Sequence, residues 1–250
     1  MSRAGAASAL AAYVLHRYDW SESSLIVDLF TRELGRVVVA AKGAKRPTSQ
    51  LRAVLRPFQR IHASLGRTAP GAEVHNLRGA EWAGGVPLAG GDALFSGFYL
   101  NELLMKLLAR EDPHPALWDA YDATLTCLGS DDEAAALRAF ELHLLREIGL
   151  LPDLSCVTAT QAPLRSDAAY VLRPEAGVTA APAGEPGAIA GSDLLAVQTA
   201  LGADDLPALR RACVAPAGVL RRQLRELLAY HLGSAPLRTR QVLLELQPLL

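Results

Sequence analysis

Residues 35–58 read GRVVVAAKGAKRPTSQLRAVLRPF, an apolar run that leads directly into a basic segment interrupted by proline. Two of the three lysines of the protein, Lys42 and Lys45, lie in this stretch, and it contains no aspartate or glutamate. A short segment with one sign of charge either stays solvated or meets a partner of opposite sign. The stretch therefore predicts a strand followed by a surface loop suited to binding phosphate.

The residues on both sides of this stretch alternate between apolar and polar, which is typical of half-buried strands. Strands are expected within Ala11–Thr31, as a hairpin turning at 19–24, and then at Arg36–Ala41, Phe58–Leu65 and Glu73–Gly79. A short helical turn is expected at Gln50–Leu55. Five short strands in about 70 residues indicate a small closed barrel, because a sandwich usually has more strands.

The composition is that of an ordinary globular protein, with half of the 250 residues hydrophobic and a fifth charged. The three cysteines, Cys127, Cys156 and Cys213, lie far apart and are odd in number, which indicates a reducing compartment without disulfides. The start of the chain imitates a signal peptide only superficially, and no apolar run approaches the roughly 20 residues of a membrane helix. We therefore expect a cytoplasmic protein.

The net charge of −1 conceals a strong asymmetry along the chain. Residues 1–80 carry a net charge of +7, residues 81–205 carry −13, and residues 206–250 carry +5. Because electrostatic steering depends on local potential, the positive ends indicate surfaces that attract DNA or RNA. The C-terminal arginines either form a second phosphate surface or balance the acidic middle of the chain. These arginines are Arg210, Arg211, Arg221, Arg222, Arg225, Arg238 and Arg240.

A segment of low charge with four glycines, AEWAGGVPLAGGD at 80–92, predicts a division of the chain. We expect a barrel domain at 1–80, a linker at 81–92 and a helical domain at 93–250. Helices are expected at Asp92–Arg110, His114–Leu128, Ser130–Leu151, Ser192–Leu201, Leu206–Cys213, Ala217–Leu232 and the C terminus. Residues 153–192, rich in proline, glycine and alanine, are expected to be irregular, with one strand at Ala168–Leu172.

The basic stretch is the main candidate binding site, although a solvated surface loop would show the same charge pattern. The predicted phosphate contacts are Arg36, Lys42, Lys45, Arg46, Arg52 and Arg56. Small barrels bind single strands with cations along the backbone and aromatic side chains that stack on bases. The candidate aromatics are Tyr13, Tyr18, Trp20 and Phe58. We expect more of them to pack the barrel than to stack on bases.

Two arginines on one side of the third predicted helix, Arg138 and Arg146, allow two interpretations. They form surface pairs with acids such as Glu141 and Glu147, or they bind a carboxylate at the rim of an apolar groove. The search for catalytic motifs finds no phosphate loop, no histidines at metal-binding spacing and no nucleophile elbow. We expect a protein that is not an enzyme.

Five segments carry a resemblance to a known family. In the predicted barrel they are YVLHRYDWSESSLIVDLFTRELGRVVVAAKGAKR at 13–46 and LRPF at 55–58. In the predicted helical part they are FSGFYLNELLMKLL at 95–108, ALRAFELHLLREIGLLP at 136–152 and YHLGSAPLRTRQVLLEL at 230–246. The first two resemble the N-terminal barrel, and the other three resemble the helical part, of the RecO family of bacterial recombination mediators. The resemblance implies an α+β protein in which an OB-fold precedes a helical domain.

The same resemblance implies a function and partners. It implies binding of single- and double-stranded DNA, annealing of complementary strands, and cooperation with RecR in loading RecA onto DNA coated with single-strand-binding protein (SSB). Such a protein would be cytoplasmic, associated with the nucleoid and without a cofactor. The alternatives are an adaptor whose barrel binds protein, and an enzyme acting on nucleic acid, which would require carboxylates or metal ligands to cluster on folding.

The resemblance also implies two features of the helical domain. The family binds the acidic, Phe-terminated tail of SSB in an apolar pocket with basic residues, and Arg138 stands at the matching position, with Arg146 as a second candidate. Some relatives hold zinc with two CxxC pairs after the third helix. Here Ala159 stands where the partner of Cys156 would be, and a lone thiol cannot build four-coordinate zinc, so no metal is expected.

Overall fold

The computed structural model of the protein describes residues 9–66, 71–85, 90–182, 184–233 and 237–246, with the side chains of residues 240, 243, 244 and 246 left undescribed. Residues 67–70, between the strands expected at Phe58–Leu65 and Glu73–Gly79, lie outside these ranges. So do residues 86–89 of the predicted linker, the start of the chain and its last four residues. The chain forms two compact units, one up to Thr126 and one from Cys127 onward.

The first unit contains a closed five-stranded barrel, which confirms the fold predicted from the alternating pattern. Its strands are β1 (Leu10–Asp19), β2 (Leu25–Thr31), β3 (Gly35–Ala41), β4 (Arg60–Leu65) and β5 (His75–Gly84). They follow one another around the barrel in the order β1-β2-β3-β5-β4, and β3 and β5 run parallel. Alternate side chains such as Val14, Val27, Val39 and Ile61 fill the interior.

The last strand of the barrel is longer than the alternation predicts. Strand β5 continues past the expected end at Gly79 to Gly84, because its pairing with β4 extends to Trp82 opposite Ile61 and Gly84 opposite Arg60. Residues 81–84 therefore belong to strand β5. Two of the four glycines that suggested a break, Gly84 and Gly85, lie at the end of this strand, and each adopts a φ of +112°.

A single helical turn, α1 (Leu51–Val54), connects β3 to β4 as expected. Leu51 and Val54 pack against the barrel core, and Leu55 directly after the helix is part of it. The burial of these side chains fixes the segment that follows the basic stretch onto the barrel.

Two longer helices, α2 (Asp92–Leu107) and α3 (Pro115–Leu125), belong to the same compact unit as the barrel. The Asn101 side-chain amide on α2 donates to the Leu15 carbonyl at 2.7 Å, and the Trp118 indole on α3 donates to the Phe30 carbonyl at 3.1 Å. The two compact units divide after Thr126, whereas the sequence pattern placed the domain boundary at 81–92. That boundary stays a prediction. Amphipathic patterning shows that a helix buries a face, but not which neighbour covers it.

Among its described residues, the second unit contains α4 (Glu133–Glu147), three short strands and four further helices. The strands are β6 (Ala169–Arg173), β7 (Gly177–Ala180) and β8 (Ile189–Ala190), and the helices are α5 (Gly191–Gly202), α6 (Leu206–Ala212), α7 (Ala217–Leu232) and α8 (Arg238–Leu246). The strand expected near 168–172 is confirmed as β6. Its two partners were not expected, because strands of four and two residues are too short to show a period.

Helix α7 holds this small sheet through one buried amide. The Gln223 carbonyl oxygen accepts the Leu172 N–H at 2.8 Å, and its amide nitrogen donates to the Gly187 carbonyl at 2.7 Å. The segment between α4 and α5 is therefore ordered by hydrogen bonds and packing within its own unit. Within the described ranges, no helix is long and apolar enough to cross a membrane.

Candidate nucleic-acid interface

Three strand ends meet at one end of the barrel. Strand β1 ends at Asp19 opposite Leu25, where β2 begins, and Leu25 also lies opposite Ala41, where β3 ends. The hairpin turn (residues 20–24) and the basic loop (residues 42–50) therefore leave the barrel side by side. The Lys45 N–H donates to the Ser23 carbonyl at 2.9 Å, so the two segments are also joined by a backbone hydrogen bond.

The basic loop has a defined backbone conformation. The Arg46 N–H donates to the Gly43 carbonyl at 3.1 Å, and the Ser49 N–H donates to the Arg46 carbonyl at 3.0 Å. Gly43 adopts a φ of +72°, which favours glycine. Ala44 is fully buried in the barrel core and anchors the loop. The cations are thus presented from a fixed scaffold, which lowers the entropy lost when a ligand binds.

Four of the six predicted phosphate contacts are exposed at this end of the barrel. Lys42 and Arg46 lie in the basic loop, Arg52 lies in α1, and Arg56 follows it. Lys45 is only half-buried and is partly engaged, since its ammonium group donates to the Ser21 carbonyl at 3.0 Å and lies 3.3 Å from Asp19.

Further charges complete this surface. Arg17, at the end of β1, donates to the Leu55 carbonyl at 3.4 Å and remains exposed. Asp19 and Glu22 are the acids of the neighbouring hairpin. We call Arg17, Lys42, Lys45, Arg46, Arg52 and Arg56 the basic end of the barrel. A further acid, Glu81, lines a cavity together with Gln50 and Leu51 beside α1. The six cations outnumber these acids, so the surface remains positive.

The sixth predicted contact, Arg36, is not part of this surface. It stands at the start of β3, whereas the basic loop follows the end of that strand. Its guanidinium lies 3.1 Å from the buried Asp28 carboxylate, and only 14% of its side chain is exposed. Its Nη1 group donates to the carbonyl of Met105 at 2.6 Å and to that of Leu108 at 3.3 Å. Arg36 thus attaches the C-terminal end of α2, where carbonyl groups favour a cation.

The aromatic candidates divide into two buried and two exposed residues. Phe58 is buried, with its ring 5.0 Å from that of Phe98. Tyr13 is buried and donates its hydroxyl to Asp122; burial first, and this carboxylate second, raise the pKa of Tyr13. Tyr18 and Trp20 remain exposed.

The two arginines of α4 are both engaged within the second unit. Arg138 is only 6% exposed and forms an ion pair with the buried Glu141 one helical turn away. Arg146 lies 2.8 Å from Asp204 and also donates to the Leu201 carbonyl, so it holds the end of α5 against α4. The structure thus gives each arginine an intramolecular carboxylate. The pairing with Glu141 was among the sequence alternatives, but its burial was not.

The residues around Cys156 do not fit a zinc ion. Its sulfur lies 3.8 Å from the Gln161 side-chain oxygen, and the backbone bridges Cys156 to Pro163. In the part of the chain that the structure describes, histidine, cysteine and acidic side chains form no group of three able to hold a metal. The segment around Cys156 is held instead by backbone hydrogen bonds, such as that from the Thr158 N–H to the Val178 carbonyl at 2.9 Å.

The barrel topology and the helical units define an α+β protein of two domains built on an OB-fold. The family model described as "Recombination protein O N terminal" matches residues 8–86, and the one described as "Recombination protein O C terminal" matches residues 89–241. The chain belongs to the RecO family of DNA repair and recombination proteins.

Individual relatives agree with this assignment over nearly the whole chain. It is 52% identical over 242 residues to "DNA repair protein RecO" of Polaromonas sp. (strain JS666 / ATCC BAA-500), covering 95% of this chain and 96% of the relative. The protein of the same name from Polaromonas naphthalenivorans is 53% identical, and that from Verminephrobacter eiseniae 52% identical, with the same coverage.

Proposed function

We propose that the protein binds single-stranded DNA with the basic end of its barrel and anneals complementary strands as a non-catalytic mediator of recombinational repair. The observation that carries this proposal is the cluster of exposed cations on a structured loop, at the point where three barrel strands end. Work on chromosomal DNA would place the protein in the cytoplasm with the nucleoid.

The chemistry required for annealing is electrostatic. Lysine and arginine side chains that contact phosphates release counterions, and they carry no sequence information. Annealing any sequence requires this indifference, together with bases whose pairing edges stay accessible. Screening of two negative strands lets them approach without ATP. Lys42, Arg46, Arg52 and Arg56 would supply most of the screening, with Lys45 contributing if it leaves Asp19.

An annealing assay with matched charge variants tests the proposal. The substitutions Lys42→Glu and Arg46→Glu should strongly reduce the affinity for single strands and the annealing rate. Arg165→Glu and Arg173→Glu change the net charge by the same amount at exposed positions of the second unit, and they should have little effect. If both double variants behave alike, the barrel is not the DNA-binding element. In that case an adaptor role, in which the barrel binds protein, becomes the better account.

We further propose, from the family assignment, that the protein acts with RecR to load RecA onto SSB-coated DNA. Arg138 and Arg146 are the candidate ligands for the SSB tail. A tail carboxylate would have to replace Glu141 or Asp204, or share the guanidinium with it. Arg146, which is partly exposed, is the more accessible of the two.

Comparison of coated and bare DNA tests the assignment of the tail site. Arg146→Ala should slow annealing of SSB-coated strands and leave annealing of bare strands unchanged. The double variant Arg138→Met with Glu141→Leu should do the same, because it removes the Arg138 guanidinium together with the buried carboxylate that pairs with it. Asp204→Asn is the control for Arg146→Ala, because it removes the ion pair between Arg146 and Asp204 but keeps the Arg146 guanidinium. If the variants anneal SSB-coated strands as fast as the wild type does, these arginines are not the site of the SSB tail.

A further inference from the structure

We propose that Trp20 and Tyr18 form a stacking surface for the bases of the strand whose phosphates contact the basic loop. This inference rests on the proposed function and assigns residues to the base-binding part of the same interface. Trp20 is 58% exposed and Tyr18 is 43% exposed, although both belong to the barrel segment that ends beside the cations.

The two side chains lie outside the barrel core. Tyr18 pairs with Ile26 and Arg17 pairs with Val27, and Val27 belongs to the core cluster. Because neighbouring side chains of a strand point to opposite faces, Tyr18 lies on the outer face. Its ring meets that of His16 edge-on, with ring centroids 4.4 Å apart, so its orientation is restrained.

Trp20 begins the hairpin turn and is joined to it through its backbone. Its N–H donates to the Ser24 carbonyl at 3.3 Å, and its indole ring forms no hydrogen bond or aromatic contact within the described part of the chain. Trp118, by contrast, is buried, and its indole N–H donates to the Phe30 carbonyl. Burial and hydrogen bonding thus account for Trp118 within the fold, but they do not account for Trp20.

The hairpin turn and the basic loop keep these aromatics beside the cations. Besides the backbone bond from Lys45 to Ser23, the Lys45 ammonium group donates to the Ser21 carbonyl at 3.0 Å. Both bonds lie within three residues of Trp20. Aromatic rings next to a line of cations are the combination that proteins use for single strands without sequence preference.

Stacking also suits annealing better than hydrogen bonding to the bases would. Every base has a π-face, so an aromatic side chain accepts any sequence. A base stacked on Trp20 keeps its pairing edge available to an incoming strand. The aromatics would order the bound strand without masking the groups that must recognise its complement.

Equilibrium binding to two oligonucleotides of equal length, one of thymidines and one with abasic sites in their place, tests the inference. Trp20→Ala should weaken binding to the thymidine strand by about 5- to 150-fold, the equivalent of roughly 1–3 kcal/mol for one stacked base. It should leave binding to the abasic strand unchanged. Trp20→Phe should retain most of the affinity, and Tyr18→Ala should act in the same direction as Trp20→Ala.

Tyr230 provides the control for an exposed aromatic side chain, because it is 53% exposed on α7 of the second unit. Tyr230→Ala should bind both oligonucleotides as the wild type does. The stacking role is wrong if Trp20→Ala binds the thymidine and abasic strands normally, or binds both more weakly by the same factor. The proposed function still stands in that case, as long as Lys42→Glu with Arg46→Glu weakens DNA binding. If that charge variant also binds normally, the proposed function itself fails.

Discussion

Replacing Arg36 by methionine should destabilise the protein and leave the DNA affinity of the folded protein unchanged. The Arg36 guanidinium lies 3.1 Å from the Asp28 carboxylate, and both side chains are largely buried. Removing one partner of a buried ion pair costs about 3–5 kcal/mol, because the remaining charge loses its compensation. For an m-value of about 2 kcal/mol per molar urea, the unfolding midpoint should fall by roughly 2 M.

The double variant Arg36→Met with Asp28→Leu separates the ion pair from the helix contacts. An apolar replacement of both partners should recover most of the loss, since buried pairs rarely exceed apolar packing in net stability. The carbonyls of Met105 and Leu108 would still lack their donor, which leaves a residual cost of about 1–3 kcal/mol. Urea titration and fluorescence anisotropy measure the two properties. An Arg36→Met protein of normal stability that binds DNA weakly would refute this reasoning.

Three further predictions concern stability. Arg138→Ala should lower the free energy of unfolding by about 3–5 kcal/mol, because the buried Glu141 carboxylate loses the guanidinium that pairs with it. Arg138→Met with Glu141→Leu should leave that free energy nearly unchanged in urea titration. Gly35→Ala should destabilise the protein by more than about 1 kcal/mol in thermal unfolding, because the φ of Gly35 is +70° and a Cβ there would stand 1.8 Å from the Asp112 carbonyl oxygen. The control Gly79→Ala should be tolerated, because a Cβ at Gly79 meets open space. Burial lowers the pKa of His143, so below about pH 6.5 the unfolded chain binds a proton that the folded chain does not, and stability should fall as the pH falls. His143→Gln should flatten that part of the pH profile; an unchanged slope would contradict the assignment.

The fold of the barrel could be predicted because its signals are local. Period-two alternation, the hairpin at 19–24 and the break before α1 each describe a few neighbouring residues, and all are present in the structure. The small sheet of the second unit could not be predicted in full. The register of β7 and β8 depends on pairing with β6 and on the Gln223 amide of α7, which lies far away in the sequence.

The candidate site shows the same division between local and distant information. Lys42, Arg46, Arg52 and Arg56 follow from a basic segment that is continuous in sequence. In the sequence, Arg36 cannot be distinguished from the other cations of that segment. Only the structure shows that it pairs with the buried Asp28 and donates to α2, so that its role is structural. Asp28 lies on β2 opposite Val38, which places it diagonally across from Arg36 on β3. Because long side chains reach diagonal neighbours on adjacent strands, the register of β2 and β3 would have suggested this pair.

The salt dependence of binding to single-stranded DNA tests the central claim most directly. If about five phosphates are neutralised at the basic end of the barrel, log K should fall against log salt with a slope of roughly −3.5. Replacing Lys42 and Arg46 by alanine removes two contacts and should bring the slope to about −2. A wild-type slope near zero, or the same slope in both proteins, would contradict the account.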